Sequence, residues 1–172
     1  MNEGRRRAVR SFVLVAVALL VVALFGPRSC GAPLLATGTA APPFSVTRVE
    51  DGTRRTLGEL RGRPAVLFFW AVWCKACKEM MPGLAALAVE RPDVCFVALH
   101  SDGEVATAAL AAKARPYPAL EFVEGGERFL EAYRVTTFPT TYVLTADGRI
   151  CGGLVGRASA DVVARLLERC ER

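Results

Sequence analysis

The run Ala65-Val-Leu-Phe-Phe-Trp70 is six apolar residues with no polar alternation, opened by Pro64 and followed almost at once by Trp73-Cys74-Lys75-Ala76-Cys77. A continuous apolar run of that length reads as a strand buried on both faces, which requires a sheet covered by helices on either side. The two cysteines come directly after it, where strand gives way to helix. A sulfur at a helix N-terminus meets unpaired backbone N–H groups and the positive end of the helix dipole. Both favour thiolate over thiol and bring a pKa of about 8.5 down to roughly 3.5–7.5. The second cysteine, one turn on, is placed to close a disulfide with the first. This spacing points to thiol–disulfide chemistry.

The rest of the chain alternates in the way such a sheet needs. Residues 44–49 read as a short strand, Asp51-Gly52 as a turn and residues 54–56 as the strand's partner, with one helical turn at 57–60. The helix opened by Cys74 or Cys77 runs to about Glu90, with Pro82 expected to kink it. Further strands are expected at 94–99 and 119–123, and helices at 104–114 and 128–133. Residues 141–145 and 149–155 form a hairpin across Ala146-Asp147-Gly148, where Asp-Gly is a strong turn signal. Ser159 then caps a last helix whose Val162, Val163, Leu166, Leu167 and Cys170 fall on one face.

The N-terminus is of another kind. Residues 12–25 read FVLVAVALLVVALF, fourteen apolar residues behind Arg5, Arg6, Arg7 and Arg10. A core helix would show a polar face, and this run has none. It is short against the ~20 residues of a full span, so a membrane anchor and a cleaved signal peptide compete. Gly38-Thr-Ala40 is a weak cleavage site, and Pro27-Arg28-Ser29 before Cys30 matches a lipoprotein signal poorly. In either case the arginines keep the tip in the cytoplasm and send the rest across. The expected organisation is a basic tip at 1–11, an anchor or signal at 12–25, a linker rich in Gly, Ala, Thr and Pro at 26–43, and one redox domain at 44–172. The expected location is single-pass in the cytoplasmic (inner) membrane with the domain on the periplasmic side, a cleaved, soluble periplasmic form being the alternative.

The 172 residues suffice for one domain with a proper core. The net charge of +5 belongs mostly to the arginine tip: from Gly26 onward 18 Lys and Arg face 16 Asp and Glu. A nucleic-acid partner therefore has no electrostatic support. Six cysteines suit an exported chain in an oxidising compartment. A metal module needs about four ligands, and one CxxC, one histidine and scattered cysteines supply too few. Covalent haem attachment wants His after the second cysteine, where Lys78 stands. A peroxidase of related fold would place Thr or Ser three residues before a lone reactive cysteine; Ala71 and the paired Cys77 argue against it. No cofactor is expected.

The β-α-β half, the β-β-α half, the WCxxC and the Pro139-Thr-Thr141 ahead of the hairpin together resemble the thioredoxin fold: an α/β fold with a central mixed sheet flanked by helices and an N-terminal β extension. The resemblance is to the membrane-anchored TlpA and ResA branch. It is carried by Ala41-Pro-Pro-Phe44, Leu57-Gly-Glu-Leu-Arg-Gly62, Phe69-Trp-Ala-Val-Trp-Cys-Lys-Ala-Cys77, Met81-Pro82, Tyr133-Arg-Val135, Phe138-Pro-Thr-Thr141 and Asp147-Gly148. It covers roughly Gly38 to the C-terminus.

That resemblance implies an extracytoplasmic thiol–disulfide oxidoreductase that reduces disulfides of exported proteins, apocytochrome c among the clients, with electrons from a membrane thiol carrier. The alternatives are a disulfide-forming oxidant of the same fold and a metal-binding module using the CxxC. Cys74 would be the exposed attacking thiolate, Cys77 the buried resolving thiol and Pro139 a cis-proline facing the pair. Trp73 would shield the disulfide, Lys75 would favour thiolate, and Phe138 stands beside Pro139. Two departures from the pattern matter. Phe68 stands where thioredoxins proper carry a buried acid. Glu79 comes two residues after Cys77, while Met80 holds the third position, where the anchored branch often has Glu; two residues turn a helical side chain by about 200°. His100 is an alternative proton acceptor, or else a surface residue at the start of a loop.

Three cysteines remain in the domain. Cys95, in the apolar run at 94–99, reads as a small buried hydrophobe. Cys151 opens the last strand and Cys170 ends the last helix, so a helix packing back on that strand brings them together as a structural disulfide. Two unpaired thiols, or Cys30 as a rival partner, are the alternatives.

Overall fold

The computed structural model describes residues 33–101 and 105–172. The expected tip, the apolar segment at 12–25 and Cys30 lie outside them. Among the described residues no helix is long and apolar enough to cross a membrane.

Among the described residues seven strands form one mixed sheet in the order β2-β1-β5-β4-β3-β6-β7. They are β1 (Ser45–Arg48), β2 (Arg54–Thr56), β3 (Ala65–Trp70), β4 (Cys95–His100), β5 (Glu121–Glu124), β6 (Thr140–Leu144) and β7 (Ile150–Val155). The helices are α1 (Lys75–Glu90), α2 (Thr107–Ala114), α3 (Glu127–Ala132) and α4 (Ala160–Cys170), with a single 3-10 turn at Leu57–Leu60. The expected elements are all present, most with ends displaced by one to three residues. The strand expected at 44–49 pairs only over Ser45–Arg48, and Phe44 and Val49 flank it as buried side chains. The helix expected at 104–114 begins at Thr107.

β3 is central because it is apolar throughout: it runs parallel to β4, Ala65 beside Cys95, and antiparallel to β6, Phe68 beside Thr141. Its side chains alternate between two cores. Val66, Phe68 and Trp70 pack with α1, α2 and α4, and Ala65, Leu67 and Phe69 pack with Phe44, the 3-10 turn and α3. The β1–β2 hairpin is the N-terminal extension and joins the edge of β5 antiparallel. Glu121 on β5 takes Arg55 Nε at 2.9 Å and Arg48 Nε at 3.3 Å, fastening that hairpin by charge as well as by backbone.

The linker expected at 26–43 is corrected over its described part. Residues 34–43 lie on the domain rather than spacing it from anything. Gly38 N–H donates to Ile150 O at 2.7 Å, Ile150 N–H to Thr39 O at 2.8 Å, and Ala41 N–H to Gly148 O at 2.9 Å. Leu34 and Leu35 pack against the second core, and Leu35 N–H donates to the Tyr142 hydroxyl at 3.2 Å. The segment is held because β7 is an edge strand with backbone groups to satisfy, which no periodicity in residues 34–43 announces. Tyr142 donates in turn to Tyr133 O and Tyr133 to Pro42 O, each at 2.8 Å. Burial pushes both phenols above the ordinary tyrosine range.

Ser159 holds the position before α4, yet its hydroxyl makes no capping bond; its carbonyl accepts from Val162 and Val163 instead. Pro82 lies inside α1, which continues through it.

Candidate active site

The apolar β3 delivers the chain to the sheet edge at Trp70, and a short turn follows in which Cys74 N–H donates to Ala71 O at 3.0 Å. Cys74 is the residue that caps α1. Its Sγ accepts from the Cys77 N–H at 3.1 Å, so a sulfur occupies the capping place usually held by an oxygen. Cys74 and Cys77 are joined in a disulfide with Cα atoms 5.3 Å apart. The first turn of α1 carries no acidic residue. When the disulfide opens, a thiolate at Cys74 meets unpaired N–H groups and the dipole of a 16-residue helix with no nearby carboxylate of that turn to oppose it. Lys75 is exposed at the start of the helix.

The expectation of an exposed Cys74 is corrected for this disulfide form: Cys74 is 4 % and Cys77 0 % exposed. Bonded to Cys77, the outer sulfur is drawn into the first core beside Trp70, Ala71 and Met81. Trp73 is 65 % exposed. Its ring meets that of Phe138 edge-on at 5.8 Å, which joins the cysteine turn to the loop before β6. In that loop the Phe138–Pro139 peptide is cis. Pro139 O accepts from Gly156 N–H at 2.8 Å, and Thr140 Oγ1 donates to Thr137 O at 2.7 Å, so both ends of the loop are held.

The two positions in doubt after Cys77 both engage the loop before α4. Glu79 is exposed and pairs with Arg157 at 2.8 Å, and buried Met80 accepts from Ala158 N–H through Sδ at 3.4 Å. Phe68 is buried in the first core. His100 is no surface residue: it is 1 % exposed at the end of β4, its ring 5.4 Å from that of Trp70. His100 stands directly beside Trp70 in the β3–β4 ladder, on the same face of the sheet, so the indole lies against it. Away from this end, Cys151 and Cys170 are joined in a disulfide, Cα atoms 5.7 Å apart, and Cys95 is a buried free thiol. Among the described residues no group of three or more His, Cys, Asp or Glu is placed to hold a metal ion. Arg157 and Thr141 also belong to the site's surroundings, and in the sequence the only signal for either is Thr141's place in Pro-Thr-Thr.

The chain is 25 % identical over 169 residues to the thiol-disulfide oxidoreductase ResA of Bacillus subtilis, covering 95 % of this chain and 92 % of that one. It is 32 % identical over 116 residues to the thioredoxin-like protein YneN of the same organism, covering 66 % and 68 %. Its fold matches the exposed lipoprotein thioredoxin of Streptococcus pneumoniae with a TM-score of 0.63 and 26 % identity, over 74 % of this chain and 99 % of that one. The model of the AhpC/TSA family matches residues 37–151, from the segment docked along β7 to the first cysteine of the second disulfide, and the chain belongs to that family, with the thioredoxin fold.

Proposed function

We propose that this chain is a thiol–disulfide oxidoreductase that works on the outer side of a membrane and reduces disulfides of exported proteins, apocytochrome c among them. The observation that carries the reading is the disulfide between Cys74, the cap of α1, and Cys77 in its first turn, with the cis Phe138–Pro139 loop against Trp73. The Bacillus subtilis relative, similar over almost the whole chain, carries the name of this activity.

In the reduced protein the Cys74 thiolate attacks a client disulfide. One S–S bond forms between Cys74 and the client, the client's own S–S breaks, and its second sulfur leaves with the electron pair. Cys77 then loses its proton and attacks Cys74, releasing the client as a dithiol and re-forming the Cys74–Cys77 disulfide. Two electrons pass to the client, and a membrane thiol carrier restores them. The helix end favours Cys74 as the attacking group, and the complete burial of Cys77 reserves it for the resolving step. The outward location rests on the four arginines before the apolar run at 12–25.

Reduction of insulin disulfides tests the reading. Cys74→Ser is expected to abolish it, and Cys77→Ser to accumulate a mixed disulfide with the client. Turnover by Cys77→Ser at the wild-type rate would overturn the two roles. The direction is read from the potential of the Cys74/Cys77 couple: a value near about −270 mV supports a reductant, and one near about −120 mV the oxidant reading.

A further inference from the structure

We infer that the Thr141 hydroxyl is the polar partner of the resolving sulfur, donating a hydrogen bond to Cys77 Sγ once the Cys74–Cys77 disulfide is open. This rests on the reading of that pair as the redox couple. Thr141 is 0 % exposed, and its Oγ1 has no hydrogen-bond partner in the disulfide form. Its neighbour Thr140 shows that the strand can satisfy a hydroxyl, since Thr140 Oγ1 donates to Thr137 O at 2.7 Å. Thr141 is directly opposite Phe68 in the β3–β6 ladder, and opposed residues project from the same face of a sheet. Phe68 belongs to the buried cluster that contains Cys74, Cys77, Met80, Met81 and Val143. The hydroxyl therefore enters the layer that holds Cys77, at the end of β6 that follows Pro139.

The same layer otherwise meets Cys77 with hydrocarbon and thioether. Phe68 and Met80 are apolar, and Glu79 is drawn out to Arg157. A second buried donor without a partner, Trp70 Nε1, lies on this face, but its ring packs toward His100 and Phe122 on the β4–β5 side. β6 lies on the other side of β3. In the disulfide, Cys77 sulfur is a weak acceptor and the hydroxyl is left unsatisfied. Reduction breaks the S–S bond and gives Cys77 a thiol, and in the resolving step a thiolate, that is 0 % exposed and has no access to water in this arrangement. A hydroxyl that is unsatisfied in one state and bonded in the other favours the second, so Thr141 favours the dithiol.

The test is equilibration of full-length protein with reduced and oxidised glutathione. Two glutathione thiols supply two electrons and two protons; one protein S–S becomes two S–H and one glutathione disulfide forms. Alkylation and mass measurement of the Cys74–Cys77 peptide separate this couple from Cys151 and Cys170. Thr141→Val, which keeps the shape and removes the hydroxyl, is expected to lower the equilibrium constant for reduction about five- to tenfold. A tenfold change is about 30 mV toward more negative potential for a two-electron couple. Thr141→Ser is expected to stay within about twofold of wild type, and Thr141→Val to weaken urea resistance in the reduced form while leaving the oxidised form unchanged or stronger. Equal loss of stability in both redox forms, or a constant unmoved by Thr141→Val, would overturn the inference and leave the redox couple standing. A wild-type pair that does not exchange with glutathione at all would overturn both.

Discussion

A methyl group at residue 125 has nowhere to go. A Cβ built on Gly125 lies 2.9 Å from Ser101 Oγ, 3.0 Å from Phe129 Cδ1 and 3.2 Å from Val46 Cγ1, three side chains that come from just after β4, from α3 and from β1. Its N–H donates to His100 O at 2.8 Å, so the backbone cannot retreat without losing that bond. Gly125→Ala is expected to cost about 1–3 kcal/mol by overpacking, read as a lower urea midpoint with unchanged slope. Gly126, next to it, has open space around its Cβ position and serves as the control. Nothing in Gly125-Gly126 announces this, because a glycine needed for close approach looks the same in a sequence as one needed for a turn. Trp73 is the opposite case. Its position beside the cysteines marks it out, and its exposure, decided by where the loop before β6 stands, could not be read from the motif.

At the scale of elements, α4 shows how far periodicity reaches. Val163, Leu166 and Leu167 are buried where the apolar face was expected, and Val162 and Cys170 are half-buried at its margin. Leu167→Ala is expected to lose about 2–5 kcal/mol, because the sheet beneath α4 cannot collapse into the space left. The Cys151–Cys170 disulfide ties the end of α4 to the start of β7 across a sequence separation of 19. Its replacement by two serines is expected to lower stability by about 3 kcal/mol on the chain-entropy account, with the activity of the Cys74/Cys77 pair retained. The β6–β7 turn offers a titration. Asp147 accepts from the Thr145 hydroxyl and from Arg149 Nε, and these hold its carboxyl below the usual range, the Thr145 bond first. The support this gives is present above the ordinary carboxylate pKa and is lost as pH falls through the lowered one. Carboxyl NMR should find Asp147 titrating below an ordinary aspartate, and Thr145→Ala should move it upward. A turn that titrates identically in both proteins would contradict the assignment.

At the scale of the whole molecule, the proposed reading places the four arginines before the apolar run on one side of a membrane and the cysteine pair on the other. A thiol reagent that cannot cross membranes is expected to label the reduced wild-type chain at Cys74 in intact cells and to lose that label in Cys74→Ser; protection until lysis would reverse the orientation. By itself the sequence determined what local chemistry determines. β3 is a buried strand because six apolar residues have no polar face to show, Cys74 sits at the start of α1 because CxxC follows that strand directly, and Asp147-Gly148 turns a hairpin. The α/β class and the redox pair were legible for these reasons. Tertiary structure alone decided what depends on a neighbour distant in the chain. Residues 34–43 had no pattern of their own and took order from the free edge of β7. His100 lies buried against Trp70 because β4 pairs with β3 in that register, and Glu79 faces Arg157 because the loop before α4 passes there. Thr141 stands opposite Phe68 only because β6 pairs antiparallel to β3 in that register. Periodicity assigns a residue to a face of its own strand or helix, and only pairing and packing determine what that face meets.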